Sequence, residues 1–183
     1  MIRHTSTILI SRLLLLTVFL CVITACTPIS STDTTSTSDN PTEEPFYAWD
    51  FTMQSLAGET YTLSELRGQW VVVNFWATWC APCREEMPEL QAISENYADN
   101  LVMLGINNRE SAERIQAYAD ELGIRFPLLL DPDDSVLLNY QVINLPQTLI
   151  VDPNGELVWR RFGPINLEEF DTIIAELTIA HQE

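Results

Sequence analysis

The sequence predicts an α/β sandwich built on a mixed central β-sheet, with a β-hairpin added at its N-terminal side. Three observations lead there. Trp70-Val71-Val72-Val73-Asn74-Phe75-Trp76 and Leu101-Val102-Met103-Leu104-Gly105-Ile106-Asn107 are nearly unbroken apolar runs, the pattern of strands covered on both faces. An amphipathic stretch lies between them. Further on, Gln147 to Val151, the turn Asp152-Pro153-Asn154-Gly155 and Glu156 to Phe162 read as a tight antiparallel hairpin, which makes the sheet mixed.

In chain order, Phe51 to Ser55, a turn at Ala57-Gly58 and Thr60 to Leu63 form the leading hairpin. Ser64 to Gly68 is one helical turn ending in Gly, and Trp70 to Trp76 is the strand at the sheet centre. Pro82 to Asp99 is a helix whose apolar stripe is Met87, Leu90, Ile93 and Tyr97, at steps of three and four residues. Leu101 to Asn107 is the second buried strand. Ser111 caps a helix running through Glu121 and closed by Gly123, and Phe126 to Leu130 adds a short extended piece. Asp134 to Tyr140 is a brief helix. After the second hairpin, Asn166 followed by Glu169 opens a last helix ending near Ile179, in the manner of a capping box.

Composition narrows the chemistry. A chain of 183 residues, 46% of them apolar, suits one compact domain with a tail. The formal net charge is −17, a field that repels phosphate backbones and argues against nucleic acid as a partner. All nine basic residues are Arg, so Schiff-base lysines, lysine-bound pyridoxal phosphate and a P-loop are excluded. The two histidines, His4 and His181, lie near opposite ends, which leaves little for a catalytic triad or a histidine metal site. His181 reads as a frayed tail residue. Arg160 and Arg161 fall on one strand with no anion site implied. Cysteine chemistry remains.

The N-terminal segment, residues 1–25, has Arg3 and Arg12 ahead of the apolar run Leu13 to Ile23, which is shorter than the ~20 residues of a spanning helix. It reads as a secretory signal. Ile23-Thr24-Ala25-Cys26 resembles the bacterial lipoprotein box, and that resemblance makes Cys26 the lipidated new N-terminus. The other reading is an uncleaved anchor helix with an incidental Cys; both tie the domain to a membrane outside the cytoplasm. Residues 26–45 are mostly Ser, Thr, Asp, Glu and Pro, a solvated tether spanning roughly 25 Å as a flexible coil. The folded domain is then residues 46–183.

Trp79-Cys80-Ala81-Pro82-Cys83 follows the central strand directly and opens a helix. There the unpaired N–H groups and the helix dipole favour an anion, so the first thiol ionises below the free value of about 8.5. The second thiol, three residues on, is placed to attack the first sulfur and release a mixed disulfide. Pro82 is tolerated in the first helical turn. Zinc and iron–sulfur sites lack further ligands, and haem attachment lacks a His, since Arg84 follows Cys83. No metal and no cofactor is implied. A purely structural disulfide is disfavoured by its place at a strand-to-helix junction.

Val73 to Cys83 together with Asn144-Leu145-Pro146-Gln147-Thr148-Leu149-Ile150-Val151-Asp152 resembles the thioredoxin superfamily, most closely its membrane-tethered TlpA/ResA-like thiol-disulfide oxidoreductases. The likeness covers roughly Phe46 to Ile179 and implies a thioredoxin-like three-layer sandwich. It implies that Cys80 is the attacking cysteine, Cys83 the resolving one and Pro146 a cis-proline. The cis bond would turn the Leu145 backbone toward the thiols, where a client segment can pair with it as an added strand. Trp79 would cover the thiols on the substrate-facing surface. Pro88 matches the proline that kinks the family's active-site helix, freeing the Arg84 carbonyl.

Two departures from thioredoxins proper stand out. Asn74 occupies the place of a buried Asp that accepts the proton of the resolving cysteine, and Asn does not titrate. The ResA-like branch carries an acidic residue three positions after the second cysteine, here Glu86, on the same helix face as Cys83. Glu86 either modulates protonation of the thiol pair, its pKa raised by partial burial, or is solvated like Glu85 and Glu89.

The resemblance implies an extracytoplasmic, lipid-anchored reductant of protein disulfides, with apocytochrome c as a client in cytochrome c maturation and a membrane thiol-disulfide protein as electron donor. Two other readings stand beside it. A peroxiredoxin-type peroxidase would need Thr three residues before its reactive Cys and Pro further upstream, where this chain has Ala77 and Val73. A binding module would hold the pair as a static disulfide.

Overall fold

Among the described residues, seven strands and four α-helices follow the predicted order. The computed structural model describes residues 46–181. The signal segment, Cys26 and the tether up to Pro45 lie outside the described residues. The leading hairpin is β1 (Thr52–Gln54) and β2 (Thr60–Thr62), paired antiparallel, followed by a 3-10 turn at Leu63–Leu66. The central sheet holds β3 (Trp70–Trp76), β4 (Leu101–Asn108), β5 (Leu128–Asp131), β6 (Gln147–Val151) and β7 (Leu157–Phe162) in the order β5-β4-β3-β6-β7. β3, β4 and β5 run parallel, whereas β6 and β7 run antiparallel to their neighbours. The sheet is therefore mixed, with β3 at its centre.

The helices are α1 (Ala81–Asn96), α2 (Ala112–Leu122), α3 (Ser135–Asn139) and α4 (Leu167–Ala180). Two apolar clusters flank the sheet. Val72 and Trp76 pack with Met87, Leu90 and Ile93 of α1, Ile115 of α2 and Phe170 and Ile174 of α4. Val71, Val73 and Phe75, which point the other way, pack with Phe51, Met53, Val136, Leu137 and Tyr140. The alternation follows from the period-2 geometry of a strand covered on both faces, and each fully buried large side chain contributes about 1.5–3 kcal/mol.

The local signals act as expected. The Ser111 hydroxyl accepts from Arg114 N, Gly123 closes α2 at φ 69°, and Asn166 accepts from Glu169 N at the start of α4. Gly105 lies between β3 and β5, where a Cβ would stand 2.8 Å from Leu128 Cδ2 and 3.1 Å from Trp76 Nε1. A glycine there lets the strands and the Trp76 ring close up.

Two details differ from the sequence reading, the end of α1 and the place of His181. α1 ends at Asn96 rather than Asp99, because Tyr97 turns out of the helix and its N–H caps the Ile93 carbonyl. His181 is not frayed: its Nδ1 lies 3.1 Å from Asp152 Oδ2 and its ring meets Trp70 edge to face. Arg161 is half-buried and pairs with Glu169 of α4, while Arg160 is exposed.

Candidate active site

The site forms where β3 gives way to α1. Cys80 is the N-cap of α1 in extended conformation, with Pro82 in the first turn. Its sulfur accepts from Cys83 N at 3.2 Å, so one of the orphan N–H groups of the helix start is directed at that sulfur. Cys80 and Cys83 are joined as a disulfide, so the site is in its oxidised form. Cys83 is completely buried, whereas Cys80 keeps 5% of its surface exposed. Trp79, immediately before Cys80, is 65% exposed.

The Leu145–Pro146 peptide is cis, as the resemblance implied. Leu145 packs against the cluster that contains both cysteines, and Pro146 is buried at the head of β6. The next residue, Gln147, pairs with Phe75 of β3, which places the proline at the same end of the sheet as the disulfide. Phe46, where the described domain begins, is bonded through its carbonyl to Leu157 N beside the β6–β7 turn, at the opposite end.

Glu86 is neither solvated nor partly buried but 1% exposed. It sits one turn beyond Cys83 on α1, facing β3 and the segment before α4. Its Oε1 accepts from Asn74 Nδ2 at 2.9 Å and its Oε2 from Ile165 N at 3.1 Å. Asn74 Nδ2 also donates to Thr148 Oγ1 at 3.0 Å, across the β3–β6 pair. Burial pushes the Glu86 carboxyl up to about 7, against the two hydrogen bonds and the nearby Arg161 guanidinium, which act to lower it. Asn74 and Glu86, the two departures noted in the sequence, are thus one buried hydrogen-bonded unit between β3 and the helix that carries Cys83.

Pro88 lies within α1, where its missing N–H leaves the Arg84 carbonyl without a helical donor. Sequence reasoning missed the part of Ile165, whose backbone N–H binds Glu86 from 79 positions away. It also missed Glu110, whose carboxylate receives both the N–H and the hydroxyl of Thr78 at 2.6 and 2.5 Å. Its signal was the spacing Asn107 to Glu110, three residues apart, which suits a side chain capping a backbone N–H. Among the described residues, no three His, Cys, Asp or Glu side chains gather as metal ligands, and no helix is long and apolar enough to cross a membrane.

A cysteine pair at the mouth of a helix, at the same end of a mixed five-stranded sheet as a cis-proline, defines a thiol-disulfide oxidoreductase of the thioredoxin class. The chain belongs to the AhpC/TSA family, whose model matches residues 47–160. It is 34% identical over 132 residues to the thioredoxin-like protein YneN of Bacillus subtilis, covering 70% of this chain and 77% of that protein. It is 36% identical over 123 residues to the thiol-disulfide oxidoreductase ResA of Geobacillus kaustophilus, covering 67% and 71%. The crystal structure of the pneumococcal exposed lipoprotein thioredoxin Etrx1 from Streptococcus pneumoniae superposes with a TM-score of 0.62 at 26% identity, over 70% of this chain and 99% of that one. Both the thioredoxin fold and the oxidoreductase class expected from the sequence hold.

Proposed function

We propose that the protein reduces disulfides of client proteins outside the cytoplasm, with Cys80 as the entering nucleophile. The observation that carries this is the asymmetry of the pair: Cys80 is the N-cap with its sulfur at the edge of solvent, and Cys83 is sealed beneath it. In the reduced protein the Cys80 thiolate, favoured by the N–H groups of the α1 terminus, attacks a client disulfide. A Cys80–client bond forms and the displaced client sulfur leaves as a thiolate. Cys83 then loses its proton to the Glu86 carboxylate and attacks the Cys80 sulfur. The client departs with two electrons, and the Cys80–Cys83 disulfide seen in the structure is left. A membrane-bound dithiol donor must then restore the reduced form.

Glu86 suits the proton step because its carboxyl, at about 7, loses and regains a proton near neutral pH. Trp79 and the Leu145-Pro146 backbone form the surface on which an extended client segment docks, and Trp79 is exposed with no core to fill. The ResA-like resemblance extends the reading to apocytochrome c as a client. Cys26 in its lipoprotein box, the likeness to a protein named as an exposed lipoprotein and the start of the domain opposite the disulfide all support a lipid anchor. The peroxidase reading finds no support in this site, since Ala77 stands where that chemistry needs Thr.

Insulin reduction with dithiothreitol tests the activity: wild type accelerates precipitation and Cys80→Ser does not. Equal rates would reduce the pair to a static disulfide. For the anchor, Cys26→Ser should move the protein from the detergent phase to the aqueous phase; unchanged partitioning would remove the lipid.

A further inference from the structure

The connection from β3 to α1 has a backbone problem that neither element solves. The β3–β4 ladder ends at Trp76, paired with Asn107, and α1 begins only at Ala81. The Thr78 N–H lies between them, and buried or half-buried N–H groups require an acceptor. Glu110 supplies it from the loop between β4 and α2. One carboxylate takes the Thr78 N–H on Oε2 and the Thr78 hydroxyl on Oε1, so both donors of one residue end on one side chain.

Glu110 is itself held from several sides. Asn107 Nδ2 donates to Oε2 at 3.0 Å, and Glu110 N donates back to Asn107 Oδ1 at 3.1 Å. Arg114 Nη1 stands 3.5 Å from Oε1, and the Glu110 side chain is only 6% exposed. The preceding residue, Arg109, takes a left-handed φ of 57°, and its Nε pairs with Asp134 Oδ2 at 2.6 Å. A non-glycine residue in that conformation is disfavoured, and here the surrounding contacts hold it.

Trp79 follows Thr78 directly and has no burial of its own to fix it. Its backbone is secured on one side by Thr78 and on the other by Cys80, whose N–H binds the Ala77 carbonyl at 3.2 Å. We propose that Glu110 is a positioning residue of the thiol site, clamping Thr78 so that Trp79 and the Cys80 sulfur are offered to a client in one fixed geometry. This rests on Cys80 as the entering sulfur. The clamp binds no client and exchanges no electrons; it limits the angles at which the nucleophile meets a disulfide, and small misplacements of reacting groups cost rate steeply.

The test uses the full chain and three variants. In Glu110→Ala, kcat/KM for insulin disulfide falls roughly tenfold, and amide hydrogen exchange accelerates across residues 77–83 while exchange in β3 stays as in wild type. Glu110→Gln recovers most of the loss, because its amide oxygen accepts from Thr78 N and Asn107 while its NH2 donates to the Thr78 hydroxyl. Thr78→Val, which keeps the backbone bond alone, falls between. A residue serving only general stability would lower the melting temperature and speed exchange throughout, with no rescue by Gln. Active wild type with unchanged kcat/KM in Glu110→Ala, or unchanged exchange at 77–83, would overturn the clamp and leave the oxidoreductase reading standing. Wild type unable to reduce insulin would overturn that reading, and the clamp with it.

Discussion

Asn74 on the central strand donates to Glu86 on the active-site helix at 2.9 Å, and the same amide nitrogen donates to Thr148 at 3.0 Å. A neutral amide and a carboxyl thus share one buried hydrogen-bonded unit between β3 and α1. Asn74→Asp would put two carboxyls in one buried site, where both cannot ionise without strong repulsion. The variant is expected to be destabilised, and increasingly so as pH rises from 5 to 8, when the pair is forced toward two charges. Urea denaturation at both pH values checks this; a pH-independent loss would contradict it.

Glu86 also sets a pH dependence in the wild type. Its folded pKa, about 7, lies above the ordinary 4.5, so the native state holds a proton that the unfolded state releases between those values. The contribution favours folding below pH 4.5 and is lost as pH rises through 7, a difference of about 3 kcal/mol at most. Arg161 on β7 and Tyr118 on α2 are the charged and titratable groups acting across the same space. Glu86→Gln should flatten the stability profile between pH 5 and 8 and shift the pH dependence of Cys80 alkylation. Superimposable profiles for wild type and variant would deny Glu86 both effects.

The sequence revealed the fold where local pattern and packing agree. Trp70 to Trp76 reads as a buried strand and is one, because β-branched and aromatic side chains on both faces leave no alternative use for seven such residues. The caps at Ser111, Gly123 and Asn166 are visible for the same reason: each answers a need of the backbone within four residues. The thiol pair was legible through its spacing at a strand-to-helix junction, and the proline only through the family resemblance. The partners of Glu86 were not, since Asn74 is 12 positions away on another element and Ile165 contributes only its backbone. Glu110 was hidden likewise, because its acceptor role exists only once β3 and β4 lie side by side. The docking of His181 on Trp70 and Asp152 depends on the length of α4, which no local signal specifies.

Gly105 should tolerate no side chain. A Cβ there meets Leu128 and Phe126 at 2.8 and 3.0 Å and Trp76 at 3.1 Å, all in the packed layer beside α1 and α2. Gly105→Ala is expected to cost about 1–3 kcal/mol through overpacking. Chemical denaturation measures the loss, and a variant as stable as wild type would show that this layer yields.

Trp79 separates docking from folding. Exposed as it is, Trp79→Ala should change stability by no more than about 0.5 kcal/mol. It should nonetheless raise KM for a protein disulfide roughly five- to tenfold, the loss of one aromatic anchor. Steady-state kinetics on insulin beside a small disulfide distinguishes the two substrates. An equal effect on both would assign Trp79 to the chemistry instead.

The central claim is that exchange begins at Cys80 and ends at Cys83. The most direct measurement is to react reduced Cys83→Ser and reduced Cys80→Ser with a cystine-containing peptide and weigh the products. A peptide adduct on Cys80 should accumulate and persist in Cys83→Ser, while Cys80→Ser forms its adduct at least about tenfold more slowly, its sulfur being buried. Adducts forming equally fast in both, or on Cys83 alone, would contradict the account.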